Sequence, residues 1–164
     1  MAIDLRFASA SDEEFFFSVY ASTRVEEMDL VDWNVAQKQE FLRMQFRAQD
    51  HFYKENYPGA EYQVILLDGQ PVGRLYLHRR SDEIRIMDIS LLPEQRGHGI
   101  GFSVLNKILA DAANQNLPVT IHVERFNPAL RLYERLGFCL AEDKGVYILM
   151  EWKPALLEQN AHAG

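Results

Sequence analysis

The sequence predicts a single α+β domain, and three observations support that class. One strand pattern and two helical patterns come first, three consecutive strands with short turns follow, and two helices and three further strands complete the chain. Consecutive strands joined by short turns are typical of an antiparallel meander rather than of alternating β–α units. A length of 164 residues suffices for one buried core and is short for two ordinary domains.

The first part of the chain contains a predicted strand at Ile3–Phe7 and two predicted helices. Ser11 precedes Glu14 by the spacing of a capping box, and an apolar run with three phenylalanines follows. The first helix is therefore predicted to begin here and to end near residues 24–28. A second helix is predicted over Val35–Lys54, because its apolar residues are spaced for one face and a proline and a glycine stop it.

The middle of the chain is predicted to be a meander of strands at Tyr62–Leu67, Val72–Arg79 and Ile84–Leu92. Asp68-Gly69 is a hairpin signal, and Asp82-Glu83 marks the second turn. Because turns of this length join antiparallel neighbours, the three strands are expected side by side in one sheet.

The last part of the chain is predicted to contain two helices, one more strand and a hairpin. The predicted elements are a helix from Gly99 or Gly101 to Asn114, a strand at Val119–Val123, a helix from Asn127 to Gly137, and a hairpin of Phe138–Ala141 and Gly145–Trp152 across residues 142–144. Asn127 is expected to be the N-cap of its helix, followed by a proline in the first helical position, and Gly137 the C-terminal cap. The domain is expected to span residues 1–153, with a frayed polar tail at 154–164.

Composition and charge argue against several classes of protein. No apolar run approaches the roughly 20 residues that span a bilayer, and the first residues lack the basic-then-apolar order of a signal peptide. The single cysteine, Cys139, cannot form an internal disulfide, so we expect a cytoplasmic location and a buried thiol. A net charge of −7 argues against nucleic acid as a partner and is compatible with a cationic substrate. The five histidines lack metal-ligand spacing, so no metal is predicted.

The segment after the third meander strand carries the strongest functional signal. It runs Arg96-Gly97-His98-Gly99-Ile100-Gly101, so a glycine-rich turn with an arginine leads into a helix. Such a turn exposes backbone N–H groups, the helix adds the positive end of its dipole, and Arg96 adds a charge, which together favour a phosphate group. A P-loop is disfavoured because Phe102-Ser103 follow the glycines without a lysine, and a Rossmann site because the loop follows a meander.

The loop and a second segment together resemble the GNAT family of N-acetyltransferases. The loop matches that family's CoA-binding pattern, Gln/Arg-x-x-Gly-x-Gly/Ala, through Arg96, Gly99 and Gly101. The segment from Asn127 to Phe138, with Tyr133 inside it, is similar to the family's second signature. The resemblance implies a mixed, mostly antiparallel sheet of about seven strands, flanked by helices and splayed between two central strands. It also implies an N-acetyltransferase with acetyl-CoA as its cosubstrate. Because Cys139 has no histidine partner nearby in the sequence, direct attack by the amine is preferred to a route through an acyl-cysteine.

The resemblance also assigns roles to individual residues. Tyr133 is implied as the general acid that protonates the departing thiolate, and Asn127 as a contact of the CoA arm. The backbone N–H near Leu91 would polarise the thioester carbonyl, as an oxyanion-hole donor does. The residues implied in acetyl-CoA binding are Ile89, Ser90 and Leu91 along the pantetheine arm, Arg96, Gly97, His98, Gly99, Ile100, Gly101 and Phe102 around the pyrophosphate, and Asn127 and Tyr133.

The base that takes the proton from the amine is left open. Asp88, on the third meander strand, and Glu124, at the end of the next strand, are the candidate bases, since an ammonium must lose a proton before attack. Each of the two is also typical of a solvated or structural carboxylate. Further alternatives are a chain of water molecules and the side chains of Glu83, His78, His122 and Tyr76.

The sequence does not name the acceptor. The first two helices, which the family fold places beside the acceptor, are rich in aromatic and acidic residues. Such residues suit a cationic amine. The favoured interpretation is that the aromatic residues pack in the core and that the acidic residues lie in a solvated loop. Small-molecule amines and protein or peptide amino groups both stay open as partners. The alternative functions are a non-catalytic acyl-CoA-binding regulatory module on the same fold and a structural protein. A homodimer is expected to be feasible through the terminal strand at 145–152.

Overall fold

The computed structural model describes residues 1–155. The strands and helices are β1 (Ile3–Phe7), α1 (Glu13–Ser22), α2 (Val25–Asp29), α3 (Val35–Asn56), β2 (Glu61–Leu67), β3 (Gln70–Arg79), β4 (Ile84–Leu91), α4 (Ile100–Gln115), β5 (Val119–Glu124), α5 (Leu130–Arg135), β6 (Cys139–Lys144) and β7 (Tyr147–Trp152). Short 3₁₀ turns at Ala10–Asp12 and Pro93–Gln95 precede α1 and α4. The predicted polar tail lies outside the described residues from residue 156 onward, so the domain boundary at residue 153 stays a prediction.

The seven strands within residues 1–155 form one sheet in the order β1-β2-β3-β4-β5-β7-β6. The pairs β1–β2, β5–β7 and β6–β7 are antiparallel, whereas β4 and β5 are parallel. Short turns join β2 to β3 and β3 to β4, which makes these neighbours antiparallel as well. This is the mixed, mostly antiparallel sheet that the sequence predicts.

The chain divides into two compact units, of which the first comprises Met1–Tyr76 and Asp88–His98. Aromatic rings form a large part of its core. The ring of Phe46 on α3 lies 5.7 Å from that of Phe17 and 5.8 Å from that of Tyr20, both on α1. All three side chains are buried, which confirms that the aromatic residues of the first helix pack in the core.

The second unit comprises Leu77–Met87 and the described residues from Gly99 to residue 155. An ion pair of 2.6 Å between Arg79 on β3 and Asp111 on α4 lies within it. Its core includes one face each of α4 and β5, with the buried residues Val104, Leu105, Ile108, Leu109, Ala112, Val119, Ile121 and Val123. No helix within residues 1–155 has both the length and the apolar character needed to cross a membrane.

The start of the first helix differs from the prediction. The predicted capping box of Ser11 and Glu14 is wrong, because the carboxylate of Asp12 accepts from the N–H of Ser9 at 2.8 Å and caps the 3₁₀ turn before α1. Arg6 donates two hydrogen bonds to the same carboxylate, and together with the Ser9 amide it holds the pKa of Asp12 well below its usual range. The single predicted helix is also divided into α1 and α2.

Several expectations about the C-terminal part are wrong as well. α5 begins at Leu130, later than predicted, and the hairpin turn lies at Gly145 and Val146 instead of 142–144. β7 is hydrogen-bonded on both sides, by β5 and β6, so it offers no free edge for strand pairing and the sheet edge is β6; a homodimer that packs through this strand stays a prediction. All residues of the edge strand β6 are exposed, and Cys139 is therefore not the buried thiol expected.

Candidate active site

The glycine-rich loop adopts a conformation that residues with side chains rarely take. Gly97 and Gly99 have φ values of +78° and +81°, and an ideal Cβ built on either meets no atom within 4 Å. The glycines therefore leave open space beside the main chain, which a ligand approaching the backbone needs. α4 begins directly after them, with the N–H of Ser103 donating to the carbonyl of Gly99 at 3.1 Å.

The N–H groups of this loop have no protein acceptor in the part of the chain that the structure describes. From Gly97 to Phe102, none donates a hydrogen bond to any atom of residues 1–155. The partial positive charge at the N-terminus of α4 adds to these unpaired donors. Such a set of donors fits a phosphate or pyrophosphate group, which is the ligand group that the sequence predicts for this loop.

Arg96 connects the loop to the end of β4. Its Nε donates to the carbonyl of Leu91 at 3.1 Å, and the contact lies at the surface. The other guanidinium N–H groups of Arg96 have no acceptor among residues 1–155. One side chain thus holds the end of β4 and still presents donors to an anion.

The three residues implied in pantetheine binding, Ile89 to Leu91, form the last part of β4 and are half-buried. The parallel pairing of β4 with β5 is confined to the beginning of both strands, where Ile84–Ile86 pairs with Val119–Ile121. The pairing therefore stops before the residues that the sequence implicates in binding.

Between two hydrogen bonds that join β3 and β4 near their ends, the β4 side has one residue more than the β3 side. At one end, the N–H of Arg80 donates to the carbonyl of Glu83, and at the other the N–H of Leu92 donates to the carbonyl of Val72, both at 2.9 Å. Between these two bonds β4 supplies one additional residue, which defines a β-bulge. The apolar–polar alternation of the strand slips by one position at Ile86-Met87, a signal that the sequence analysis missed.

Asp88, the first candidate base, is held by a buried arginine. Its Oδ2 accepts from Nε of Arg74 at 2.6 Å, and the Oγ of Ser90 lies 3.2 and 3.1 Å from its two oxygens. Arg74 is 2% exposed and also donates to Gln49 at 3.0 Å and to the hydroxyl of Tyr76 at 3.4 Å. The carboxylate thus compensates the charge of a guanidinium that has lost its water. Sequence reasoning missed Arg74, for which a lone charge in the apolar run of β3 was the available signal.

Tyr133, the predicted general acid, lies on α5 with 5% of its surface exposed. Its ring packs edge-on against that of Phe138, with the ring centroids 5.6 Å apart. The N–H of Phe138 donates to the carbonyl of Tyr133 and that of Gly137 to the carbonyl of Glu134, both at 3.0 Å. With a φ of +102° at Gly137, these bonds form a Schellman motif, so the predicted glycine cap is confirmed.

Asn127 stabilises the turn before α5 rather than the helix itself. Its Oδ1 accepts from the N–H of Ala129 at 2.9 Å, and its carbonyl accepts from the N–H of Leu130 at 3.1 Å. Its backbone N–H donates to the carbonyl of Glu124 at 3.0 Å, while its Nδ2 has no acceptor within residues 1–155. Glu124, the second candidate base, ends β5 with an exposed side chain.

Three of the other candidate bases are less suited to accept a proton. Glu83 already accepts from two arginines, one of them Arg85 at 3.3 Å. Burial, together with the charges of Arg85 and Lys144, lowers the pKa of His122. Burial raises the pKa of Tyr76 to about 12, so this phenol keeps its proton at neutral pH. Within residues 1–155 no group of three or more His, Cys, Asp or Glu side chains is arranged to hold a metal ion.

Comparison with known protein families identifies the class of protein. The model of the Acetyltransferase (GNAT) family matches residues 23–138. The chain therefore belongs to the Acetyltransferase (GNAT) family, which confirms the resemblance seen in its two sequence signatures. Acetyl transfer is the class of reaction that this membership supports.

Solved structures share the fold at low sequence identity. The PaiA N-acetyltransferase of Thermoplasma acidophilum, in complex with coenzyme A, is 18% identical, with a TM-score of 0.71 over 93% of this chain and 99% of that one. The ribosomal-protein-S18-alanine N-acetyltransferase of Escherichia coli is 15% identical, with a TM-score of 0.62 over 93% and 94%. A GNAT family acetyltransferase of Elizabethkingia anophelis with acetyl-CoA bound is 14% identical, with a TM-score of 0.62 over 92% and 97%. These similarities confirm the predicted fold.

Proposed function

We propose that this protein is an N-acetyltransferase that moves the acetyl group of acetyl-CoA to a primary amine by direct attack of the amine. The observation that carries the proposal is the row of unpaired N–H donors from Gly97 to Phe102 at the start of α4. In a member of the Acetyltransferase (GNAT) family, an anion-binding loop after the fourth strand supports acetyl-CoA as the acetyl donor. Two of the similar structures contain coenzyme A or acetyl-CoA, which supports the same cosubstrate.

In this proposal the main chain does most of the binding. The amides of Gly97–Phe102 bind the pyrophosphate, and Arg96 adds a guanidinium beside it. Main-chain groups of Ile89–Leu91 pair with the two amides of the pantetheine arm, as an added strand does, and Nδ2 of Asn127 donates to the same arm. Local donors of this kind explain how a chain with a net charge of −7 binds a polyanion.

The transfer needs a polarised carbonyl and a stabilised leaving group. The N–H of Leu91 donates to the thioester oxygen, where negative charge develops as the amine nitrogen attacks. The C–N bond forms, the C–S bond breaks, and the hydroxyl of Tyr133 gives its proton to the CoA thiolate before it is reprotonated from water. Direct attack requires no acyl-cysteine, and Cys139 lies exposed on the edge strand β6.

The proton of the amine goes to a carboxylate, and Glu124 is the chemically better suited of the two candidates. Its side chain is exposed, whereas Asp88 compensates the charge of the buried Arg74. A carboxylate outside such an ion pair accepts a proton without leaving a buried cation unpaired. Asp88 is the alternative base.

The acceptor is a primary amine of a small molecule or of a protein or peptide. The negative net charge of the chain favours cationic amines. The similar Escherichia coli protein is a ribosomal-protein-S18-alanine N-acetyltransferase, so a peptide with an N-terminal alanine belongs in any acceptor panel. A cytoplasmic location, in which Cys139 stays reduced, is part of the proposal.

Two successive measurements test the proposal. Acetyl-CoA at 100 times its Kd should raise the free energy of unfolding by about 2.7 kcal/mol, seen as a higher Tm. Thiol release is then followed with a diamine, a free amino acid, an aminoglycoside and a peptide that begins with alanine. At least one acceptor is expected to be turned over. A Tm that does not move with millimolar acetyl-CoA would remove CoA from the function of the protein.

A non-catalytic acyl-CoA-binding module on the same fold is the second candidate, favoured by the burial of Tyr133. A tyrosine that is 5% exposed can serve as a core side chain alone. In that case acetyl-CoA raises the Tm, but the rate of thiol release with each amine is the same whether or not the protein is present. The two measurements together therefore separate an enzyme from a binding module.

A further inference from the structure

Gly73 on β3 lies closer to the main chain of β4 than any side chain would allow. An ideal Cβ on Gly73 would be 2.4 Å from the carbonyl oxygen of Ser90, 2.8 Å from Cδ2 of Leu91 and 3.2 Å from its Cα. Real Cβ atoms essentially never approach another heavy atom within 3.0 Å. The φ of Gly73 lies outside the left-handed region, so glycine is required here for space and not for its backbone conformation.

The residues of β4 that rest on Gly73 are fixed from other directions as well. One position further along each strand, the N–H of Leu92 donates to the carbonyl of Val72 at 2.9 Å. On the loop side, the carbonyl of Leu91 accepts from Nε of Arg96 at 3.1 Å. The peptide groups around Leu91 are therefore held by a steric contact on one side and by hydrogen bonds on the others.

We infer that Gly73 is a positioning residue for acetyl transfer, because its missing side chain lets Ser90 and Leu91 lie against β3 and so sets the direction of the Leu91 N–H. The inference rests on the proposed function, in which that N–H polarises the thioester carbonyl. Catalytic donors act only within narrow limits of position, and a displacement of about 1 Å costs on the order of 10²-fold in rate. A methyl group at Gly73 must displace the Ser90 carbonyl, which is main chain and not the end of a flexible side chain.

Gly73→Ala tests this inference by separating turnover from binding. Its kcat is expected to fall roughly 10- to 100-fold, because the Leu91 N–H moves away from the thioester oxygen. Its Kd for acetyl-CoA is expected to rise by no more than about threefold, because the shift at Ser90 and Leu91 weakens only part of the pantetheine contacts and the amides of Gly97–Phe102 are not altered. Thiol release with the best acceptor of the panel gives kcat, and titration calorimetry with acetyl-CoA gives Kd.

Leu75→Ala on the same strand is the matched control. Leu75 is fully buried, so its truncation leaves a cavity and lowers the Tm without placing any atom near Leu91. At a temperature where both variants are folded, Leu75→Ala is expected to keep the wild-type kcat. A fall in kcat that is confined to Gly73→Ala cannot come from loss of stability alone.

The possible results distinguish this inference from the proposed function. If the wild type releases thiol and Gly73→Ala keeps the wild-type kcat, Gly73 has no positioning role and the proposed function stands. If no amine of the panel causes the wild type to release thiol, the proposed function fails and the inference fails with it. If Gly73→Ala does not fold, Leu91→Ala replaces it, since it removes the side chain that rests on Gly73 without a clash. A several-fold lower kcat with unchanged Kd then supports the inference, and a wild-type kcat overturns it.

Discussion

β4 and β5 are parallel neighbours, and each leads through a turn into a helix, α4 or α5. After β4, the N–H groups from Gly97 to Phe102 have no acceptor within residues 1–155. After β5, in contrast, the N–H groups of Ala129 and Leu130 are paired in the turn before the helix. Those of Gly137 and Phe138 are paired in the turn after it. Two similar strand–turn–helix segments thus differ in their backbone N–H groups. Those of the glycine-rich loop after β4 are unpaired within residues 1–155, and those around the turn after β5 are hydrogen-bonded within the chain.

In the proposed function, this difference corresponds to binding mainly by the main chain of the first segment and chemistry mainly by the side chains of the second. A main-chain site depends on the glycines that leave room for the ligand and tolerates changes in neighbouring side chains. A side-chain site depends on individual groups, which in the proposed function are Glu124, Asn127 and Tyr133. Substitutions in the two segments should therefore change different measured quantities.

The largest effect is expected in stability, at the carboxylate of the first segment. Asp88→Asn removes the charge partner of Arg74, whose side chain is 2% exposed, and should lower the free energy of unfolding by roughly 3 kcal/mol. Glu124→Gln is the matched change on β5 and should leave stability nearly unchanged, because that side chain is exposed. Urea unfolding of both variants measures the difference. Equal losses, or none in either variant, would contradict the structural role of the ion pair.

The next largest effect is expected in turnover, at the tyrosine of the second segment. Tyr133→Phe removes the proposed proton donor and keeps the ring packed against Phe138, so kcat should fall about 100-fold with unchanged acetyl-CoA affinity. Tyr147→Phe, on the half-exposed tyrosine of β7, is the control and should keep the wild-type kcat. Thiol-release kinetics and calorimetry supply the two quantities. A fully active Tyr133→Phe variant would make α5 a structural helix.

Local patterns in the sequence predict the first segment well and the second less well. The meander strands, the glycine loop and the start of α4 are marked by alternation and turn residues, which act over a few positions. The start of α5 is predicted too early, because the sequence pattern of Asn127 followed by a proline is typical of a helix cap. Its side chain instead bonds the N–H of Ala129 and forms a turn, and such local side-chain bonds compete with helix formation.

The partners of the site residues depend on contacts that no local pattern contains. Arg74 meets Asp88 only because β3 pairs with β4 in a register that includes one extra residue, and Gln49 joins them from α3. The need for glycine at position 73 follows from the same pairing. Cys139 lies on β6, which is an edge strand and has no covered face among residues 1–155, and strand order and coverage are properties of the whole fold.

A smaller effect is expected in ligand affinity, at the main chain of the first segment. Gly99→Ala places a methyl group in the open space beside the loop, at a φ of +81°, and should weaken acetyl-CoA binding about 10-fold, or about 1.4 kcal/mol. Gly59→Ala is the control, because Gly59 has the same φ and equally open surroundings but lies in the turn before β2. Calorimetry with acetyl-CoA compares them. The same Kd in both variants would mean that the loop amides do not bind the ligand.

The smallest effect is expected at Asn127, and it tests how completely the two segments divide binding from chemistry. Asn127→Ala removes the acceptor of the Ala129 N–H and should lower the free energy of unfolding by about 1 kcal/mol. Asn127→Asp keeps an acceptor oxygen and removes the Nδ2 donor, so it should keep the stability and weaken acetyl-CoA binding by about threefold. Thermal unfolding and calorimetry on both variants separate the turn from the ligand contact. If both bind acetyl-CoA as the wild type does, Asn127 serves the turn alone, and the second segment contributes to the reaction only through Tyr133 and Glu124.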